Sequence, residues 1–237
     1  TADHLLEFMA ENKDRPFLAY YPMILVHNPF PTTPDSEDRN SKDKQRNFED
    51  MVTYMDKLVG RIVDQAEKLG IAERTLILFT GDNGTNVAIR SQLDGQTIRG
   101  GKGKTTDAGT RVAMVGYWPG TIPGGTVYLP TLGEATGASR PEPTDGRSFL
   151  PQLKGQQGNP REWLHMYYCP RPERTKPSQF VRDQRYKLYS DGRFYDVSND
   201  VMEKNPIKDI QNGSPAAQAK DKLAKALKQF PEEGQSL

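Results

Sequence analysis

The sequence has little of the features that assign a function class at once. It contains one cysteine, Cys169, which excludes an internal disulfide but is compatible with an oxidising or a reducing compartment. Its 32 basic and 31 acidic residues give a net charge of +1, without the positive excess that nucleic acid or an anionic membrane attracts. No apolar run approaches the roughly 20 residues that span a bilayer. We therefore expect neither nucleic acid nor membrane as a partner.

The sequence also lacks an initiating methionine, a recognisable signal peptide, internal repeats and coiled-coil heptads. Because it begins at Thr1, we expect a fragment or a processed piece, with any targeting signal outside it. A chain of 237 residues is long enough for one sizeable core and a smaller second unit.

Strand and helix patterns alternate in the first part of the chain. Apolar residues recur at three- and four-residue steps over residues 48–69, which predicts a helix with Asn47 as its N-cap and Gly70 after its end. Apolar runs at residues 17–21 and 75–80 predict buried strands on either side of this helix. A strand, a helix and a strand in succession predict an α/β fold with a mainly parallel sheet.

The last part of the chain has a different pattern. Residues 119–160 are rich in Pro, Gly and Thr and predict a boundary, with a short helix at residues 129–138. Beyond it, short aromatic and β-branched runs separated by turns such as Asp191-Gly192 predict a small antiparallel sheet. Ser214 as N-cap and Pro215 at the first position predict a final helix that packs on this sheet.

A polar cluster follows the strand predicted at residues 75–80. Asp82 and Asn83 supply side-chain oxygens for a hard cation, and Lys102 lies further along in the glycine-rich residues 99–104. Because open α/β sheets bind ligands at the carboxyl ends of their strands, the stretch predicts an anion held over a metal. Gly81-Asp82-Asn83-Gly84 is also a good turn sequence, and the glycine-rich loop matches neither known nucleotide-binding pattern.

His27 is a further candidate, because it follows the apolar residues 23–26 and opens a proline-rich loop. A histidine just beyond an apolar run is compatible with catalysis and also with a satisfied structural role, and the residues leave both open.

Three motifs follow one another in a fixed order along the chain. They are His27-Asn28-Pro29-Phe30, Thr80-Gly81-Asp82-Asn83-Gly84 and Arg99-Gly100-Gly101-Lys102-Gly103. This ordered set resembles the sulfatase family of the alkaline-phosphatase-like superfamily. The similarity continues through Gly109-Thr110-Arg111-Val112, Trp118-Pro119-Gly120, Leu129-Pro130-Thr131, Asp145-Gly146-Arg147-Ser148 and Lys187-Leu188-Tyr189. Each motif is weak alone, but the set in this order is specific.

The resemblance implies a role for each candidate. Asp82 and Asn83 are expected to coordinate a divalent cation, usually Ca²⁺, although two ligands cannot complete the six to eight that calcium takes. Lys102 is expected to contact the sulfate and the leaving oxygen, and His27 to lie on the leaving-group side. The implied function is a sulfuric ester hydrolase that acts on a sulfated small molecule or a sulfated glycan. The implied location is periplasmic or secreted.

The nucleophile of the family has no counterpart in the sequence. Sulfatases use a formylglycine made within Cys/Ser-x-Pro-x-Arg, and the Pro and Arg after Cys169 have the wrong spacing. We therefore expect the N-terminal half of an alkaline-phosphatase-like sandwich, with the formylglycine, to be missing. Residues 1–140 would be the C-terminal half of the catalytic core, and residues 141–237 a small α+β subdomain. The chain alone is expected to be inactive.

Two other functions stay open at this point. A phosphate or phosphonate ester hydrolase of the same superfamily would share the metal-binding Asp82. A non-catalytic remnant would bind an anion through the glycine-rich loop without requiring a metal.

Overall fold

The computed structural model describes residues 1–93, 95–122, 148 and 150–230. The chain divides into two compact units. The first comprises Thr1–Asp82, Asn86–Arg90 and Val112–Pro160, and the second comprises Asn83–Thr85, Ser91–Arg111 and Arg161–Leu237. The boundary predicted at residue 140 and the helix predicted at residues 129–138 lie outside the described residues.

The described part of the chain contains both helices and strands. The helices are α1 (Ala2–Asn12), α2 (Lys44–Lys68), a 3-10 turn (Ala72–Arg74), α3 (Asp107–Thr110), α4 (Leu150–Leu153) and α5 (Pro215–Leu227). The strands are β1 (Ile77–Thr80), β2 (Arg90–Leu93), β3 (Gln96–Arg99), β4 (Met114–Tyr117), β5 (Leu164–Tyr168), β6 (Ser178–Arg182), β7 (Tyr186–Tyr189) and β8 (Phe194–Asp196). No helix of the described residues is long and apolar enough to cross a bilayer.

The long helix α2 confirms the strongest pattern in the sequence, but its predicted N-cap is wrong. The side chain of Asp43 accepts hydrogen bonds from the backbone N–H groups of Gln45 and Arg46, so the helix starts earlier. Asn47 lies inside the helix and is buried. Its side-chain amide donates to the carbonyl oxygens of Phe30 and Ser41 in the preceding loop, which satisfies the buried N–H group. Gly70 follows the helix end at φ 68°, as predicted.

The strands of the first unit that the structure describes pair antiparallel. Strands β1 and β4 pair antiparallel, with Leu78 opposite Gly116. The strand predicted at residues 17–21 does not form, because this segment has no partner strand among the described residues and Leu18 and Tyr20 are 70% and 87% exposed. The prediction of a mainly parallel sheet is not confirmed in the described part of the chain.

The second unit contains the antiparallel sheet and packed helix that the sequence predicts. Its strands follow the order β5-β6-β7-β8, and every pairing is antiparallel. Val181, Leu188 and Phe194 pack with Leu223 of α5 in one buried cluster. The side chain of Ser214 caps α5 by accepting from the backbone N–H of Ala217.

The paired strands β2 and β3 were not predicted. All four residues of β2 are exposed, and three of the four residues of β3 are exposed as well. Such strands lack the apolar alternation on which strand prediction depends.

Candidate functional site

Backbone hydrogen bonds join the residues that follow Asn83 to the Lys102 loop, residues 99–104, and to the helix α3 beyond it. The N–H of Lys102 donates to the carbonyl of Thr85 at 2.9 Å, and the N–H of Gly84 donates to the carbonyl of Gly109 at 2.9 Å. The side chain of Lys102 is half-buried and forms no ion pair with another described residue. The backbone of this lysine is therefore fixed while its ammonium group keeps hydrogen-bonding capacity for a ligand.

Three glycines allow this close approach. A Cβ at Gly84 would lie 2.1 Å from the carbonyl oxygen of Ala108, and one at Gly101 would lie 2.6 Å from the carbonyl carbon of Ala108. A Cβ at Gly109 would lie 2.2 Å from the carbonyl oxygen of Lys104. Each contact is with backbone, so no side chain can turn away to make room. These three positions therefore require glycine for space, whereas Gly103 has room for a side chain and favours glycine through its φ of 80°.

Asp82 and Asn83 lie directly after β1, as predicted, and both are exposed. The end of this strand is fixed by the N–H of Gly81, which donates to the carbonyl of Ala113. A carboxylate and an amide present oxygen donors that suit a hard cation. No group of three or more His, Cys, Asp or Glu that could hold a metal occurs among the described residues. Asp82 and Asn83 can therefore supply only part of the six to eight oxygen ligands that Ca²⁺ takes.

His27 lies at the exposed start of its loop. Its backbone N–H closes a turn onto the carbonyl of Ile24 at 2.9 Å, and its Nδ1 lies 2.6 Å from the carbonyl oxygen of Asn28. Because a carbonyl oxygen only accepts, this hydrogen bond places a proton on Nδ1. The other ring nitrogen, Nε2, is then the atom that can exchange a proton with a ligand.

A basic cavity of about 480 Å³ adjoins the residue after His27. Its wall contains Asn28 and Asn86, together with Arg39, Lys42 and Lys44, and it contains no carboxylate. Lys42 and Lys44 form no ion pair with another described residue. The cavity can therefore bind an anionic group. The larger cavity, about 590 Å³ in the second unit, contains none of the predicted site residues in its wall.

The second unit contains a buried ion cluster that no sequence pattern predicts. The side chains of Lys187, Asp107 and Glu203 are 0%, 0% and 2% exposed, and that of Arg182 is 16% exposed. Lys187 belongs to the motif Lys187-Leu188-Tyr189, but the spacing of apolar residues around it predicts neither its burial nor its partners. Glu203 adopts φ 52°, the one positive φ among the described non-glycine residues.

The family comparison places the chain among sulfatases. Residues 1–140 match the family Sulfatase. Arylsulfatase A from Homo sapiens is 32% identical over 197 residues, which cover 78% of this chain and 38% of that protein. Steryl-sulfatase from Mus musculus is 30% identical over 185 residues, which cover 71% of this chain and 29% of that protein. The chain thus spans less than half the length of these relatives.

Solved structures share the fold. The crystal structure of Ps i-CgsB aligns with a TM-score of 0.71 at 21% identity, covering 96% of this chain and 53% of that chain. A protein solved in complex with its substrate, D-glucosamine-2-N,6-O-disulfate, aligns with a TM-score of 0.57 at 22% identity, covering 78% of this chain and 39% of that chain.

The match to the family extends over 140 of the 237 residues, which is more than half of the chain. It includes the His27 loop, the end of β1 and the Lys102 loop, the same three motifs whose order produced the resemblance. The chain therefore belongs to the sulfatase family.

Proposed function

We propose that the complete protein carrying this chain hydrolyses sulfate esters. The observation that carries the proposal is the position of Lys102. Close packing at three glycines and the hydrogen bond from the Lys102 N–H to Thr85 fix its backbone, while its ammonium group forms no ion pair with another described residue. A fixed cation of this kind suits a reaction in which negative charge grows on the leaving oxygen.

Lys102 contributes to the step in which the bond between sulfur and the leaving oxygen breaks. Its ammonium group donates a hydrogen bond to the ester and strengthens that bond as charge develops. Because the interaction is stronger in the transition state than in the ground state, it raises the rate. The close packing around Gly101 and Gly109 prevents the backbone from relaxing away from this position.

His27 supplies the proton that the departing alcohol requires. With Nδ1–H bonded to the carbonyl of Asn28, a protonated imidazole donates from Nε2 to the leaving oxygen. The neutral ring that remains keeps the same hydrogen bond to Asn28, so its orientation is unchanged.

Asp82 and Asn83 would hold part of the shell of a divalent cation, with Ca²⁺ as the expected ion. The bound cation would supply positive charge for the sulfate oxygens. A formylglycine nucleophile belongs to the family resemblance, and Cys169 does not provide it. The thiol of Cys169 is instead half-buried and lies 3.5 Å from the carbonyl oxygen of Thr175.

The substrate class that we propose is a sulfated carbohydrate with a second anionic group. The cavity beside Asn28 is lined by Arg39, Lys42 and Lys44, and three cations without a carboxylate favour a second sulfate or carboxylate. The structural relative solved with a disulfated glucosamine supports this class. We also infer a periplasmic or secreted location, on the family resemblance.

The experiment compares Lys102→Ala with Lys104→Ala in the complete protein. Both lysines lie in the same loop, but Lys104 is exposed and has no assigned role. With an aryl sulfate as substrate, Lys102→Ala should lower kcat by about 10²- to 10³-fold, the usual effect of removing one oxyanion donor. Lys104→Ala should stay within about twofold of the unaltered protein.

An unchanged kcat in Lys102→Ala would overturn the proposed function. The same proteins assayed with an aryl phosphate separate the sulfatase from its phosphate-cleaving relatives, because a sulfatase should prefer the sulfate ester. Chelation with EDTA should abolish turnover, and Ca²⁺ should restore it.

A further inference from the structure

A buried ion cluster lies in the second unit, formed by Lys187, Asp107, Glu203 and Arg182, and the steps described above assign no role to it. Burying an ion is unfavourable unless partners replace its hydration. The cluster balances two cations with two carboxylates, and its members come from separate segments of the chain. Stability alone is a weak explanation for such a cluster, because replacing a buried ion pair by well-packed apolar residues is often neutral or stabilising.

Lys187 directs its ammonium group at the segment that follows the Lys102 loop. Its Nζ donates to the carbonyl oxygen of Thr105 and, at 2.8 Å, to Oε1 of Glu203. The same Nζ lies 3.7 Å from Oδ1 of Asp107 and 3.9 Å from the ring centroid of Phe180. Burial lowers the pKa of Lys187, whereas Glu203 and Asp107 act in the opposite direction.

The two carboxylates hold the same segment from other sides. Arg182 donates from Nη1 to both carboxylate oxygens of Asp107 at 2.8 Å. Glu203 accepts from the backbone N–H of Asp107 at 3.0 Å through Oε1 and from the hydroxyl of Tyr189 at 2.6 Å through Oε2. The hydroxyl of Tyr189 also lies 3.2 Å from the carbonyl oxygen of Thr105.

Backbone contacts connect this segment to Lys102. Asp107 begins α3, the short helix whose Ala108 and Gly109 pack against Gly84 and Gly101. The N–H of Lys104 donates to the carbonyl of Gly101 at 2.8 Å, which closes a turn over residues 101–104. This turn contains Lys102 and leads directly into Thr105. A shift of the segment from Thr105 to Asp107 would therefore move the backbone that carries Lys102.

We propose that Lys187, Glu203 and Asp107, supported by Arg182 and the Tyr189 hydroxyl, are positioning residues that set the location of Lys102. The inference rests on the proposed function, because it assigns the cluster to the same reaction. An apolar side chain at position 187 would fill the volume beside Phe180 but would remove the charged donor of the Thr105 carbonyl and leave the Tyr189 hydroxyl at 3.2 Å beside it. The left-handed backbone of Glu203 fits this role, because strained residues persist where several contacts fix them.

The test uses Lys187→Met and Tyr189→Phe in the complete protein, each alone and combined with Lys102→Ala. Lys187→Met should lower kcat on the order of 100-fold, since a misplacement of about 1 Å has effects of this size. Tyr189→Phe removes one hydroxyl and should lower kcat by about fivefold. KM should change by less than about twofold in both variants, because orientation rather than binding is altered.

The combined variants give a measurement that a merely structural role would not move. Once Lys102 is absent its position is irrelevant, so Lys187→Met and Tyr189→Phe should cause no further loss of kcat in that background. Their thermal midpoints should fall equally in both backgrounds. Lys222→Met is the matched control, because Lys222 pairs with Asp183 at 2.6 Å at the exposed surface of the same unit.

The outcomes separate this inference from the proposed function. If Lys102→Ala retains full kcat, the proposed function fails. If Lys102→Ala loses activity but Tyr189→Phe has no effect, or lowers kcat by the same factor with and without Lys102, the positioning role is overturned. If Lys187→Met does not fold, Tyr189→Phe alone decides the question.

Discussion

The Lys102 loop and the loop that begins at His27 differ in how they are held. The Lys102 loop packs backbone against backbone, with Gly101 and Gly109 leaving no space for a Cβ. The His27 loop is anchored by Phe30, which is 9% exposed, and by the amide of Asn47, while His27 itself remains exposed. Substitutions at these packed glycines should therefore lower stability and rate together, whereas a substitution of the exposed His27 should affect the rate alone.

The largest effect is expected for His27→Gln in the complete protein. Loss of a titratable imidazole should lower kcat with an aryl sulfate by about 10²-fold or more, the contribution of a general acid. The thermal midpoint should not change, because His27 is exposed and its hydrogen bonds to described residues are local, to Asn28 and Ile24. Steady-state kinetics and a thermal melt of the same sample measure both. His4→Gln, an exposed histidine of α1, is the control, and equal losses in the two variants would contradict the assignment.

Gly109→Ala is the corresponding change beside the Lys102 loop, in the helix α3 that packs against it. Its Cβ would lie 2.2 Å and 2.4 Å from the carbonyl oxygens of Lys104 and Gly101, so we expect about 3 kcal/mol of destabilisation. Activity should fall with it. Gly60→Ala in α2, where a Cβ meets nothing within 4 Å, should instead stabilise by about 0.5–1 kcal/mol. Urea unfolding of both variants tests the contrast, and similar midpoints would refute it.

Asn47→Ala tests the anchor of the His27 loop. The Asn47 amide donates to the carbonyls of Phe30 at 2.9 Å and Ser41 at 3.2 Å, and its loss should destabilise by about 2 kcal/mol. Thr53→Ala removes an exposed hydroxyl from the same helix and should stay within about 0.5 kcal/mol. An Asn47→Ala protein as stable as Thr53→Ala would show that Phe30 suffices as the anchor.

The smallest effect concerns acid stability in the unit that carries the Lys102 loop. Burial raises the pKa of Asp196, but hydrogen bonds from Arg185, Ser198 and Asn199 outweigh it and lower the pKa from 3.8 to about 2. The stabilisation is therefore complete above pH 3.8 and is lost as the pH falls towards 2. Asp196→Asn should flatten the pH dependence of unfolding in this range. If Asp191→Asn, at an exposed pair, flattens it equally, Asp196 is not the cause.

Local signals in the sequence predicted the elements that depend on neighbouring residues. The helix α2, the glycine after its end and the cap of α5 follow from patterns within a few residues. The predicted strand at residues 17–21 failed because a strand requires a partner, which apolar composition cannot supply. The sequence predicts Asn47 as the N-cap because an asparagine amide suits both a helix cap and a buried hydrogen bond to a loop. Only the contact with the distant Phe30 carbonyl shows which role it has.

The candidate site divides in the same way. The order of three motifs was enough to identify the family and to name His27, Asp82, Asn83 and Lys102 as candidates, whose roles stay predictions. Nothing in the sequence identified Glu203, because an acidic residue in a polar stretch resembles solvated surface. A comparison of related sequences would be needed to single it out before the structure.

The sequence by itself determined the apolar face of α2, the glycine after its end, the cap of α5 and the family, because these depend on residue types at short spacing. Only the tertiary structure decided that Gly84 and Gly101 pack against the short helix that contains Gly109, and that Lys187 is buried beside Thr105. Lys187 and Thr105 are 82 residues apart in the chain, and Glu203 and Asp107 are 96 residues apart. Contacts over such separations depend on how the segments pack, which no local pattern specifies.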